Sequence, residues 1–142
     1  MATFKATGLD SLITDMAALA TLPTSVIDDM LGVGADVLEP ALKSSAQSTL
    51  SGKYSTGKTA ASIKRTKVSN AKSGRKISIY PHGTRNDRSS KRRNAEVGFV
   101  NEFGKRGQPA RPWMDKARKS NADASNAAME NVFDAFLKSK NL

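Results

Sequence analysis

The sequence predicts an α+β domain in which a small, largely antiparallel sheet of three to four strands packs against N-terminal helices and a long C-terminal helix. Apolar residues recur at helical spacing near both ends of the chain. Short segments between them alternate apolar and polar residues, as half-buried strands do. The 142 residues suffice for one core but not for two. We therefore expect residues 1–142 to form a single domain.

The first third of the chain predicts two helices. Residues Gly8–Leu22 carry apolar residues three and four apart, at Leu9, Leu12, Ile13, Met16, Leu19 and Ala20. Pro23 ends this helix and opens a second one, whose apolar face runs to Leu50. Pro40 lies inside the second pattern and predicts a kink or a split, because proline cannot donate the backbone hydrogen bond of a helix interior.

The next segments predict a loop and a hairpin. Residues 51–58 are rich in Gly, Ser and Thr, and Ala60–Ile63 predicts a short helical turn. Lys64–Val68 and Lys76–Tyr80 predict two paired strands, joined by a loop over residues 69–74.

The second half predicts an exposed loop, a third strand and a final helix. Residues 83–94, GTRNDRSSKRRN, contain no aliphatic side chain and predict an exposed, mobile basic loop. Ala95–Phe103 predicts a strand, or a strand that runs into a helical turn, and Pro112–Leu137 predicts the last helix. The only tryptophan, Trp113, follows a proline at that helix start, so we expect Trp113 and Phe103 to be packing anchors.

The net charge of +10 is unevenly distributed. Residues 1–52 carry two bases and six acids, residues 53–119 nineteen bases and four acids, and residues 120–142 two bases and three acids. A basic middle between mildly acidic ends implies an anionic partner or a contact between complementary subunits. No apolar run approaches the length of a membrane span, and the N-terminal residues lack the order of a signal peptide, so we expect synthesis in the cytoplasm.

The composition leaves little material for catalysis. The chain has no cysteine and one histidine, which excludes disulfides and thiolate metal sites and predicts no cofactor and no metal. His82 has no partner for a nucleophilic pair, and Glu102 is expected to pair with a nearby base such as Lys105, Arg106 or Arg111. We therefore expect no enzymatic activity.

One segment matches a nucleotide-binding pattern. Gly52–Thr59, GKYSTGKT, fits G-x-x-x-x-G-K-[ST], in which backbone amides and the lysine hold phosphates. That motif needs a buried strand before its first glycine and a long helix after it. Residues 44–51 are instead polar and helical in pattern, and Lys64-Arg65 follows soon after. We interpret the match as chance spacing in a glycine-rich loop.

The basic segment supplies the candidate site, and its bases are Arg85, Arg88, Lys91, Arg92 and Arg93. Three roles remain open for the basic segment: docking to a protein partner, sequence-independent contact with DNA phosphates, or no role beyond a solvated surface. Docking is favoured, because the segment contains no aromatic side chain on which bases could stack.

Two pieces of the chain resemble the tail-completion (neck) proteins of long-tailed bacteriophages. The first is Glu102–Gly104, EFG, followed by a short glycine-containing loop and Ala110–Met114, ARPWM, at a helix start. The second is Thr56–Ile63, TGKTAASI, which is similar to the family's TGxLxxSI segment, with Thr59 where the family pattern has an apolar residue.

The resemblance covers roughly residues 8–137. It implies an α+β fold and a structural virion protein at the head-proximal end of the tail. Such proteins typically form a sixfold homo-oligomeric ring that joins the tail tube to the head connector and leaves an axial channel for DNA. The alternative function is sequence-independent nucleic-acid binding, for which the net charge is the main argument.

Overall fold

The computed structural model describes residues 9–53, 55–87 and 90–142, and within these ranges the chain is α+β, as predicted. The helices are α1 Leu9–Ala20, α2 Thr24–Thr49, α3 Lys58–Ala61, α4 Asn94–Phe103 and α5 Trp113–Ser139. The strands are β1 Ile63–Arg65, β2 Ser69–Ala71, β3 Gly74–Lys76, β4 Ile79–Pro81, β5 Thr84–Asp87 and β6 Ser90–Arg93. None of the described helices combines the length and apolar character that crossing a membrane requires.

The two long helices, α2 and α5, pack along each other and form the main framework. They approach closely at Gly34, whose carbonyl oxygen accepts a hydrogen bond from Ser125 Oγ at 3.3 Å. A Cβ atom at Gly34 would lie 3.1 Å from Met129 Sδ and 3.2 Å from Ser125 Oγ, so a larger residue would require these side chains to shift. Pro40 is exposed and α2 continues through it to Thr49, so the predicted split does not occur. Packing against α5 holds α2 together where local propensity would break it.

The core lies where α2, α3, β1 and the start of α5 meet. Its buried residues are Ala46, Ala60, Ile63 and Trp113, with the half-buried Leu42, Leu50, Ile79 and Met114 packed against them. Ser45 Oγ donates a hydrogen bond to the Trp113 carbonyl at 2.7 Å, which ties α2 to the first residue of α5.

Residues 63–81 form one interrupted antiparallel hairpin. β1 pairs with β4 and β2 pairs with β3, and between them residues 66–68 lie opposite residues 77–78. One extra residue on the first side is a β-bulge, which bends the ladder. The predicted strands are therefore only partly correct, and the predicted loop over residues 69–74 contains β2 and the start of β3. Arg75 binds Asp28 on α2 through two hydrogen bonds of 2.8 and 2.6 Å, which holds this end of the hairpin against the helix.

Two other segments differ from expectation. Within the predicted loop over residues 83–94, residues 84–87 and 90–93 form the strands β5 and β6, which pair across four residue positions. Residues 95–103, predicted as a strand or as a strand that runs into a helical turn, belong entirely to helix α4. The Glu96 Oε2 atom accepts a bond from the Arg93 backbone N–H at 3.4 Å and so closes the N-terminus of that helix. The three pairs of strands form separate two-stranded ladders rather than one sheet in the described part of the chain.

Candidate functional site

The corner between α4 and α5 is built around Trp113. Its side chain is 1% exposed, and Nε1 donates a hydrogen bond to the Gly98 carbonyl at 3.0 Å. A Cβ atom at Gly98 would lie 3.3 Å from the indole and 3.1 Å from Pro81 Cγ, so α4 sits directly on both rings. The structure thus places Trp113 in the core, where a packing anchor was predicted.

Glu102 closes the N-terminus of α5. Its buried carboxylate accepts the backbone N–H of Met114 at 2.7 Å and that of Asp115 at 3.0 Å. The expected pairing of Glu102 with a base is therefore wrong. The free amides of a helix start are donors that a carboxylate satisfies well, and here they lie within its reach. Arg111 instead donates to the carbonyl oxygens of Thr49 and Ser51 at the end of α2, at 2.6 and 2.9 Å.

Gly104 makes the turn between these elements possible. Its φ of +76° lies in the left-handed region, and a Cβ atom there would meet Ala110 N at 2.8 Å and Gln108 O at 2.9 Å. The EFG and ARPWM segments thus form a tightly packed structural corner, which positions α4 relative to α5.

Phe103 does not take part in that corner. Its side chain is 64% exposed, so the prediction that it is a packing anchor is wrong. It lies one helical turn from Phe99, which is 61% exposed, and the two ring centroids are 4.6 Å apart. The Gly98 side of α4 faces Trp113, which leaves these two rings on a solvent-facing side. We call Phe99 and Phe103 the α4 aromatic surface.

A groove of about 590 Å³ borders that surface. Phe99, Val97 and Val100 supply apolar lining, and the charged lining residues are Arg92, Lys105 and Glu96. All three charged side chains are exposed. The groove therefore combines apolar area with two bases and one acid.

The helix α1 has a second uncovered apolar surface. Leu12, Ile13, Met16 and Leu19 are all exposed, with Met16 at 62%. In the part of the chain that the structure describes, α1 packs extensively on no other helix or strand. We call these four residues the α1 apolar face. Sequence reasoning predicted that this face exists but expected it to be packed inside the domain.

Arg85, the first of the five basic candidates, is buried rather than exposed. Only 9% of it is accessible, and it donates to Asn94 Oδ1 at 2.7 Å and to Thr59 Oγ1 at 2.6 Å. Burial lowers the pKa of this guanidinium, and the nearby Asp87 opposes that effect. Arg85 is therefore wrong as an interface candidate, because its donors hold β5 against α3 and α4. Thr59 is buried even though it is polar, since it accepts this bond.

The other basic candidates lie on or near β6. Lys91, Arg92 and Arg93 are exposed, and Arg88 lies outside the described residues. Side chains alternate along a strand, and Arg92 borders a large open groove of about 1170 Å³ that Lys91 and Arg93 do not line. Lys53, Lys58 and Arg111 also line this groove, with Asp87 as the acid among the lining residues. Among the described candidates, the structure thus brings Arg92 and the buried Arg85 together with bases from distant segments.

The nucleotide-binding pattern has none of its required context. Helix α2 precedes it where the motif needs a strand, and the helix that follows, α3, is four residues long. Lys58 Nζ lies 3.7 Å from Asp87 Oδ1, and Thr59 Oγ1 accepts a bond from Arg85. Both residues that would serve phosphate and magnesium thus have partners within the chain. Within the described residues, no group of three or more His, Asp or Glu side chains could hold a metal ion.

Much of the segregated charge is paired inside the chain. Arg65 Nη1 lies 2.5 Å from Asp36 Oδ1 and its Nε 3.3 Å from Glu39 Oε2. The hydrogen bond between Asp28 and Arg75 lowers the pKa of the carboxyl and raises that of the guanidinium. Three of the four acids of α2 therefore bind the hairpin of their own chain, which reduces the charge available for contacts between subunits.

Two kinds of surface remain as candidate sites. The first is apolar and consists of the α1 apolar face and the α4 aromatic surface, and the second consists of the exposed bases of β6 and the groove of about 1170 Å³ that Arg92 lines. No protein-family model, no curated protein and no solved structure matches this chain.

Proposed function

We propose that this chain is a structural subunit of a bacteriophage tail, which completes the tail and joins it to the head connector as a ring with an axial DNA channel. The observation that carries the proposal is exposed apolar surface on two helices. The large apolar side chains of the α1 apolar face and of the α4 aromatic surface are each between 42% and 64% exposed. Such surface gains stability when other subunits cover it.

The nature of the exposed surface supports assembly as well. The α1 apolar face and the α4 aromatic surface group exposed large apolar side chains on one helix each, as interaction sites in soluble proteins do. The resemblance of EFG, ARPWM and TGKTAASI to tail-completion proteins supplies the location, in the virion at the neck between tail tube and connector.

Sequence-independent nucleic-acid binding is the second candidate function. Lys91, Arg92 and Arg93 are consecutive exposed bases on β6, and such a run attracts phosphates. In a ring, the same strand could line the channel through which DNA passes. Contact with DNA is then a property of the assembled protein rather than its main role.

Sedimentation at low salt without nucleic acid separates the two functions. A ring-forming protein sediments as an oligomer and shows rings in negative-stain images, whereas a simple DNA binder stays monomeric and retards DNA on a gel. The variant Lys91→Glu/Arg93→Glu is the matched control, because it weakens contact with phosphates but leaves the apolar surfaces unchanged.

Location is tested on particles from cells that produce the phage. Gold-labelled antibody against this chain is expected at the head–tail junction. Label elsewhere on the particle, or intact particles without label, would contradict the proposed function.

A further inference from the structure

We infer that the α1 apolar face of one copy docks on the α4 aromatic surface of a second copy. The inference deepens the proposed function and rests on the self-association which that function requires. It names the two surfaces that meet and the residues that decide the contact.

The spacing of the apolar side chains on α1 and on α4 is compatible with packing of the two helices against each other. Leu12 and Met16 lie four residues apart on α1, and Leu19 follows three residues later. Phe99 and Phe103 lie four residues apart on α4. Rows of side chains at these spacings form ridges, and ridges of one helix fit the grooves of another. The groove beside Phe99 gives the aliphatic side chains of α1 a place to insert.

The charges at the edges are complementary. The α1 sequence contains two aspartates and no base. Asp15 lies one turn from both Leu12 and Leu19, at the border of the apolar face, and is not among the described ion pairs. Arg92, Lys105 and Glu96 line the α4 groove, so its lining carries two bases and one acid. A docked α1 brings Asp15 to a lining in which bases outnumber acids, whereas a second α1 offers acids and no base, which favours docking on α4 over the contact of α1 with another α1.

The contact joins two different surfaces, so it is heterologous. Each copy offers one α1 and one α4, and each can bind one neighbour on either side. Contacts of this kind close into rings or extend into filaments. A ring in which every α1 is docked leaves neither apolar surface exposed.

Two variants test the contact in purified protein. Leu12→Asp/Met16→Asp disables the α1 apolar face, and Phe99→Asp/Phe103→Asp disables the α4 aromatic surface. All four side chains are exposed, and circular dichroism verifies that each variant keeps the fold. We expect wild type to form large assemblies and each variant alone to sediment as a monomer. Ala127→Asp, an exposed change on α5, is the matched control and is expected to assemble like wild type.

Mixing the two variants gives the decisive result. One partner still has an intact α1 and the other an intact α4, so an equimolar mixture is expected to form a heterodimer and nothing larger. A mixture that stays monomeric overturns the inference. So does continued assembly of the Phe99→Asp/Phe103→Asp variant, which is the result expected if α1 binds another α1.

A charge exchange tests the border. Asp15→Lys is expected to weaken assembly about two- to fivefold, as the loss of an exposed ion pair does. Combining it with Lys105→Glu in the partner is expected to restore assembly, and failure of Asp15→Lys to weaken it overturns the assigned orientation. Heterodimer formation together with gold label away from the neck would support the docking and contradict the proposed function. Wild-type protein that is monomeric in every sample overturns the docking itself.

Discussion

Replacing Trp113 by alanine is expected to remove a large part of the stability of the fold. The indole is 1% exposed, packs on Gly98, and donates a buried hydrogen bond. Trp→Ala changes in cores cost about 3–5 kcal/mol, whereas a domain of this size has about 5–15 kcal/mol in total. With about 2.1 cal/mol/K of unfolding entropy per residue over 142 residues, each kcal/mol lowers the melting temperature by about 3 °C. We therefore expect a decrease of about 10–15 °C.

A graded series separates the contributions to that loss. Trp113→Phe keeps an aromatic ring but loses the N–H donor to Gly98, so we expect a cost of about 1–2 kcal/mol. Phe103→Ala removes an exposed ring and is the matched control, with an expected change within about 0.5 kcal/mol. The melting temperature is measured by far-UV circular dichroism as the sample is heated, at a protein concentration where wild type is monomeric. The packing reasoning is refuted if Trp113→Ala melts within about 2 °C of wild type, or if Phe103→Ala costs as much.

Three further changes test other parts of the structure. Gly104→Ala is expected to lower the free energy of unfolding by more than about 1 kcal/mol, because φ is +76° and the added Cβ meets Ala110 N at 2.8 Å. Urea unfolding measures the loss, and an unchanged midpoint would contradict the geometry. Lys58→Ala is expected to leave the fold intact, and calorimetry is expected to find no ATP binding to wild type; binding that disappears in the variant would overturn the interpretation of the glycine-rich loop. Arg75 lowers the pKa of Asp28 in the folded chain, so the stability from this pair is present above the ordinary carboxyl pKa and is lost as pH falls through the lowered one. The difference in denaturant midpoint between wild type and Asp28→Asn should therefore shrink below about pH 4, and a constant difference would rule out this linkage.

The helical framework could be predicted from the sequence because its signals are local. Apolar spacing fixed the course of α1, α2 and α5, and Pro23 and Pro112 marked where α2 and α5 begin. These signals depend on residues close together in the chain, where the constraints of proline and the helical repeat act directly. Pro40 is the exception, since the packing of α5 on α2 decides its outcome.

The segment 83–94 could not be predicted because distant residues determine its structure. Its composition indicates exposure, yet Arg85 is buried by acceptors on Thr59 and Asn94. Nothing near Arg85 in the sequence shows that α3 would lie within reach. Likewise, the run Val97–Val100 suits a strand as well as a buried helix.

The candidate surfaces were predicted only in part for a similar reason. Phe103 and Trp113 both read as anchors, but α4 turns Gly98 toward the indole and Phe103 toward solvent. Which side of a helix is covered depends on tertiary packing, and the sequence pattern alone does not contain it. That the α1 apolar face is uncovered follows only from the tertiary contacts, because they show which elements the other helices and strands pack against.

The double attachment of α4 to the start of α5 has a mechanical consequence. The Gly98 carbonyl accepts a hydrogen bond from the indole of Trp113, and the Glu102 carboxylate accepts the next two backbone amides, so α4 is tied to the first turn of α5 at two points. From there α5 extends for 27 residues, about 40 Å. A rotation of about 5° at the corner would displace the far end by about 3.5 Å, given that length. Because α5 also packs along α2, with Ser125 bonded to Gly34, such a rotation would have to carry α2 with it. A force on α4 is therefore transmitted to both long helices rather than to α5 alone.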